Sequence, residues 1–173
     1  AKDKGKFVYE LPKNVVEVHE VFLDDALRLK DSGKMLHAFT EEETNSLKEL
    51  MLCRRPNWEI LFRLYHDQKL NPMSFLRSEE FLNILTECCI KDYPYTPFAD
   101  AFHTMRSMLL PVLYLMGSEV PKADVYHAIC TGYGGLLACL GGHVYKKKVL
   151  LTEHGIYTRE REEEIIRAKW VQP

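Results

Sequence analysis

The sequence has no apolar run approaching the ~20 residues that would span a bilayer, and its nearest candidate, Met108 to Met116, is interrupted by Pro111. It also has no GxGxxG turn, no P-loop and no GxSxG element, which removes the usual signatures of dinucleotide binding, phosphate-loop chemistry and the hydrolase nucleophile elbow. Charge of one sign is lacking too. A formal net charge of -2 gives no general attraction to nucleic acid or to an anionic membrane, so any anion must be held by a local site. The five cysteines, Cys53, Cys88, Cys89, Cys130 and Cys139, are odd in number and form no CxxC pair. That pattern fits a reducing compartment better than a disulfide framework. The opening AKDKGKFVYELP has no apolar core of a signal peptide, so a soluble, cytoplasmic protein is expected.

What is present fits one globular domain over residues 1–173: 46% hydrophobic and 28% charged residues leave no long tract that must be disordered. Phe7 to Leu23 is rich in valine and aromatics around a break at Pro12, Lys13 and Asn14, which predicts two short extended segments. Thr40 and Glu43 have the spacing of a capping box, with Leu47, Leu50 and Met51 following at helical intervals. Trp58, Leu61, Phe62 and Tyr65 repeat the period, as do Phe81, Leu82 and Leu85 within Ser78 to Lys91. DYPYTPF reads as a rigid connector into a helix over Phe98 to Met116, which Pro111 can kink.

The last third changes character. Asp124 to Ile129 and Val149 to Thr152 are short apolar strand candidates, and Leu150 is expected in the core. Between them lie the glycine-rich turn CTGYGG and a helix-like LLACLGGHVYKK; a charged helix, TREREEEIIRAKW, follows. Strand, crossover helix, strand within ~30 residues is a parallel βαβ unit. The predicted architecture is therefore α/β, with helices covering a parallel sheet.

Ligands of such sheets gather beyond the carboxyl ends of the strands, where both unusual loops fall. In the first, Gly132, Gly134 and Gly135 would let backbone amides approach a ligand near a helix amino terminus, or would merely serve a tight turn and close packing. In the second, His154 before Gly155 can donate to a sugar hydroxyl or a leaving phosphate, or can be satisfied by a neighbouring carbonyl. With Thr158 as N-cap, Arg159 and Arg161 would stand in the first helical turn, against the dipole, and need an anion or the following glutamates as compensation. Glu163 is at pairing distance from Arg159. A solvated charged face is the commoner reading of such a run. His127 would border the same crevice, and Cys130 reads as a small buried residue rather than a nucleophile. His19, His37, His66, His103 and His143 lack ligand spacing, and no metal or cofactor is assigned.

ADVYHAICTGYGGLLACLGG and VLLTEHGIYTREREEEI resemble the strand and loop motifs of PelF-type members of glycosyltransferase family 4. The likeness extends through MRSMLLPVLYLMGSEVPKADVYH and an early YELPKNVVEVHEVFL, and is thinnest between Asp31 and Asp92. It implies a Rossmann-like sheet forming part of the N-terminal domain of a two-domain GT-B enzyme. The implied reaction transfers a sugar, UDP-glucose being the family's guess, from a nucleoside diphosphate donor to a growing polysaccharide with retention. His154 would be the catalytic contact to the sugar. Glu153, Gly155, Tyr157, Thr158, Arg159 and Arg161 would form the cleft wall, and His127, Thr131, Gly132 and Gly134 would face acceptor or donor phosphates. Implied partners are the donor, a saccharide acceptor, a C-terminal domain absent from this sequence and membrane polysaccharide-export components; nucleic acid is not among them. Since donor contacts come from both walls of the cleft, the chain alone is expected to be inactive. A non-catalytic Rossmann-like binding or scaffold module is the alternative, and a nucleotide-dependent oxidoreductase is disfavoured by the missing GxGxxG.

Overall fold

Capping chemistry places the first α-helix of the computed structural model, which describes residues 8–30 and 37–167. The Glu43 N–H donates to the Thr40 hydroxyl at 3.3 Å and the Thr40 N–H to the Glu43 carboxylate at 3.0 Å, so the predicted capping box opens α1, Glu41–Met51. Glu43 is buried. Burial pushes its carboxyl up, but the Thr40 N–H, His37 at 3.0 Å and Arg63 at 3.4 Å outweigh that and hold it below its ordinary value.

Asn57, Asn71 and Ser78 cap α2 (Trp58–Phe62), α3 (Pro72–Phe75) and α4 (Glu79–Lys91) in the same way, each side chain accepting from N–H groups of the first turn. A π-helical turn, Arg63–Asp67, continues α2. α5, Phe98–Met116, runs unbroken through Pro111. Around it Leu61, Leu64, Tyr65, Phe75, Phe81, Leu85 and Leu113 are almost fully excluded from water. Edge-on ring contacts, Tyr65 to Phe75 and Phe75 to Phe81, run through this core.

The carboxy-terminal third is the expected βαβ unit: β1 (Val125–Ala128), α6 (Tyr133–Tyr145) and β2 (Lys148–Leu151), with β1 and β2 parallel and His127 opposite Leu150. α6 joins two environments. Its Leu140 is buried in the helical core, while its opposite side meets the sheet through Ala138, Gly141 and Gly142. A Cβ on Gly141 would collide with the Tyr126 ring, so glycine inside this helix allows the close approach of helix and sheet. Tyr126 in turn stacks on Tyr145 at 6.3 Å and donates to the Pro121 carbonyl at 2.8 Å. α7, Tyr157–Arg167, follows β2.

Four expectations change. Residues 8–22 hold the predicted turn, with the Val15 N–H donating to the Pro12 carbonyl, but no strand: exposed valines such as Val16 find no neighbouring strand among the described residues. Phe7 lies outside the described residues. The sheet is covered on one face, by α6; on the other, Val125, His127 and Leu150 are exposed. Leu150 is therefore no core residue, because β2 has every position open to solvent. Cys130, expected to be buried, lies exposed beyond the end of β1.

Candidate functional site

The βαβ topology brings the loops after β1 and β2 to one edge of the sheet. The register that pairs Ala128 with Leu151 continues into the loop, where the Thr152 N–H donates to the Ala128 carbonyl at 2.9 Å. One residue back on β1, His127 Nε2 is 2.8 Å from the Thr152 hydroxyl. The His127 ring is thus held against the second strand and remains exposed.

Gly132 is the N-cap of α6 at φ 89° and ψ -133°, a conformation that a side chain strongly disfavours. A second constraint comes from the other loop. The Tyr157 hydroxyl, at the first residue of α7, would stand 2.8 Å from any Cβ built on Gly132. Glycine is required there both by its own backbone and by the tyrosine that closes on it. This contact joins the two sequence motifs.

The turn is shorter than the sequence suggested. Gly134 and Gly135 belong to the first turn of α6, so their N–H groups are among the four that an α-helix leaves without internal partners. The Thr131 hydroxyl beside them is buried without a hydrogen-bond partner. An anion at this terminus would gain from both the free N–H groups and the helix dipole.

After β2 the chain bends at His154 and Gly155, and Glu153, His154, Thr158 and Arg159 are exposed. Thr158 is not the N-cap: α7 begins at Tyr157, two residues earlier than that cap implied, with the Ile156 carbonyl accepting from the N–H groups of Arg159 and Glu160. Glu163 meets Arg167 at 3.3 Å, one helical turn on, rather than its expected partner Arg159. A Cβ on Gly155 would meet the Glu160 carboxylate. The Arg161 side chain lies outside the described residues.

Of the cavities at this edge, one of about 330 Å³ is bordered by His127 and Gly134 together with His19 and Glu119, and two are larger. One of about 710 Å³ lies between α5, α6 and α2, lined by residues including Trp58, His103, Thr104, Ser107, Gly132, Tyr133 and Tyr157. The other, about 500 Å³, is mainly apolar and runs past Thr131, Gly132 and Cys139 to β2. Among the described residues His154, Glu153 and Arg159 line neither cavity. Trp58, His103, Ser107 and Tyr133 are additions that sequence reasoning missed. The signal for the polar wall positions on α5 was available: His103, Thr104 and Ser107 fall within one turn of each other on a largely apolar helix.

His143 belongs to the structure rather than to this edge. Its ring packs on Phe62 at 5.0 Å, and burial, followed by the Lys146 charge, holds its imidazole below its ordinary value. At the start of β1, Asp124 accepts from Lys147 at 2.9 Å, which lowers its carboxyl. Among the described residues no three His, Cys, Asp or Glu side chains are grouped as metal ligands, and no helix is long and apolar enough to cross a membrane.

A family model described as a domain of unknown function, DUF3492, matches residues 1–173. The chain belongs to that family. No curated protein and no solved structure matches it. The DUF3492 domain is thus an α/β unit with a small parallel sheet, compatible with a Rossmann-like fold, whose two strand-end loops interlock.

Proposed function

We propose that this domain forms one cleft wall of a retaining glycosyltransferase that moves a hexose from a nucleoside diphosphate donor, UDP-glucose first among the candidates, to a growing polysaccharide. The observation that carries the reading is the closure of Tyr157 on Gly132, which makes a single surface of the two loops where ligands of parallel sheets bind. The family's known occurrence in glycosyltransferase-like proteins points the same way, as does the resemblance of both loops to PelF-type enzymes.

In this reading the free N–H groups at the start of α6 and the Arg159 guanidinium meet the donor phosphates, where charge-assisted hydrogen bonds are strongest. His154, on the bend after β2, donates a hydrogen bond to the sugar as the glycosidic bond to the diphosphate breaks and negative charge grows on the leaving oxygen. His127, steadied by Thr152, keeps the strand tips in register. A facing α/β domain, in the GT-B manner, supplies the remaining donor contacts.

The test is transfer by a polypeptide that carries this domain together with such a facing domain. His154→Ala should lower kcat and kcat/KM together by about 10²–10³, the usual cost of one preorganised donor. Because His154 is exposed, the melting temperature should stay near that of the parent. Near-parental turnover in His154→Ala rejects the role of that residue. Absence of transfer from every nucleoside diphosphate sugar tried favours a non-catalytic binding module instead.

A further inference from the structure

The cavity of about 710 Å³ between α5, α6 and α2 combines aromatic with neutral polar side chains. It falls within the size range of small-molecule sites. Among the described residues that line it none carries a formal charge. A cavity at the opposite end of α5, by contrast, is lined by Asp25, Lys69 and Glu119.

Two kinds of side chain line it. On α5, His103, Thr104 and Ser107 are exposed on one side of the helix and together offer both hydrogen-bond donors and acceptors. From α2, α6 and α7 come three aromatic residues that leave much of their surface to solvent, Trp58 at 42%, Tyr133 at 39% and Tyr157 at 36%. Large aromatic groups left half-open while Phe75 and Phe81 are fully buried nearby are available to a ligand.

A nucleoside diphosphate would find no cation here to meet its charge. A hydrocarbon would leave the imidazole and hydroxyls without partners. A neutral pyranose suits both kinds: its C–H faces lie on aromatic rings and its hydroxyls exchange hydrogen bonds with His103, Thr104 and Ser107. We propose that this cavity is a subsite for a neutral saccharide, the acceptor chain. The proposal rests on the glycosyltransferase reading. Gly132 and Tyr157 border the cavity as well, so a sugar bound in it adjoins the strand-end loops where the donor is placed.

The test is direct binding, without turnover. The chain is titrated with cellotriose, maltotriose and chitotriose, and with trigalacturonate and UDP for comparison, by calorimetry and amide NMR. At least one neutral trisaccharide should bind and perturb residues of α5 and the Gly132 turn, with trigalacturonate at least about tenfold weaker. Trp58→Ala and His103→Ala should each weaken that binding by about tenfold; His103→Ala should leave the melting temperature nearly unchanged because the residue is exposed, whereas Trp58→Ala, which also gives up a contact with the Phe62 ring, should lower it while the chain still melts cooperatively. Tyr133→Ala serves as a third variant should one of these fail to fold. The proposal fails if no neutral trisaccharide binds a cooperatively melting chain, if the anionic one binds more tightly, or if the folded variants bind like the parent. Sugar transfer by the longer polypeptide, with no trisaccharide bound here, would retire the subsite and leave the enzymatic reading standing.

Discussion

The helical portion and the βαβ portion of this domain solve burial differently. Around α5, side chains as large as Tyr65, Phe75 and Phe81 are sealed from water, and every one of α1 to α4 has its first turn capped by the residue before it or by Pro at its start. In the βαβ unit the sheet's own buried cluster is only Tyr126, Ala128 and Ala138, and β2 is exposed along its length. Parallel strands ordinarily carry cover on both faces. The helical portion therefore supplies stability, whereas the strand ends hold their loops open, and the two larger cavities at the candidate site lie where the two portions meet.

The largest effect should come from cutting into the helical core. Phe81→Ala is expected to cost about 3–5 kcal/mol, whereas Leu150→Ala, at a side chain 54% exposed, should cost under about 1 kcal/mol. Denaturant unfolding of both variants checks the contrast. Equal losses would mean that the outer face of the sheet is covered in solution.

A smaller effect tests how well the βαβ unit is wound. Lys146 ends α6 in the left-handed region at φ 54°, with the Lys147 N–H returning to the Gly142 carbonyl at 3.0 Å. Lys146→Gly should relieve that backbone and stabilise by about 0.5–1 kcal/mol. A loss in thermal stability would show that the lysine side chain contributes more than its backbone costs.

The smallest effect is a pH dependence at the junction. Because the His143 imidazole is held below its ordinary value of 6.5 in the folded state, the unfolded chain takes up its proton first as pH falls. The stability it contributes is complete above about pH 6.5 and declines as pH drops through the lower folded value. Melting curves of the parent and His143→Gln between neutral and mildly acidic pH should converge toward the acid side. Parallel curves would show that α6 does not shelter this ring.

Much of the helical portion was legible because its signals are local. A threonine three residues before a glutamate, or leucines one turn apart, state a helix start and a buried face without reference to distant chain. The βαβ order was legible for the same reason, through apolar stretches separated by glycine. The valines of residues 8–22 misled, since a composition rich in valine and aromatics proposes a strand but only a neighbouring edge can pair it. Leu150 misled likewise: an apolar strand residue is buried only if something packs above it. At the site, the residue types at the strand ends could be chosen from the sequence, but the cap placed at Thr158 was two residues late at the helix start.

By itself the sequence determined where helices begin, that one parallel βαβ unit closes the chain's last third, and which two loops share its carboxyl edge; capping, periodicity and crossover topology operate over short stretches of chain. Only the tertiary structure decided that Tyr157 locks onto Gly132, that α6 covers a single face of the sheet, and that Trp58 and His103 border one cavity. Those facts depend on helices distant in sequence packing at fixed distances around a shared core, and pairwise packing of that kind leaves no mark on any local pattern.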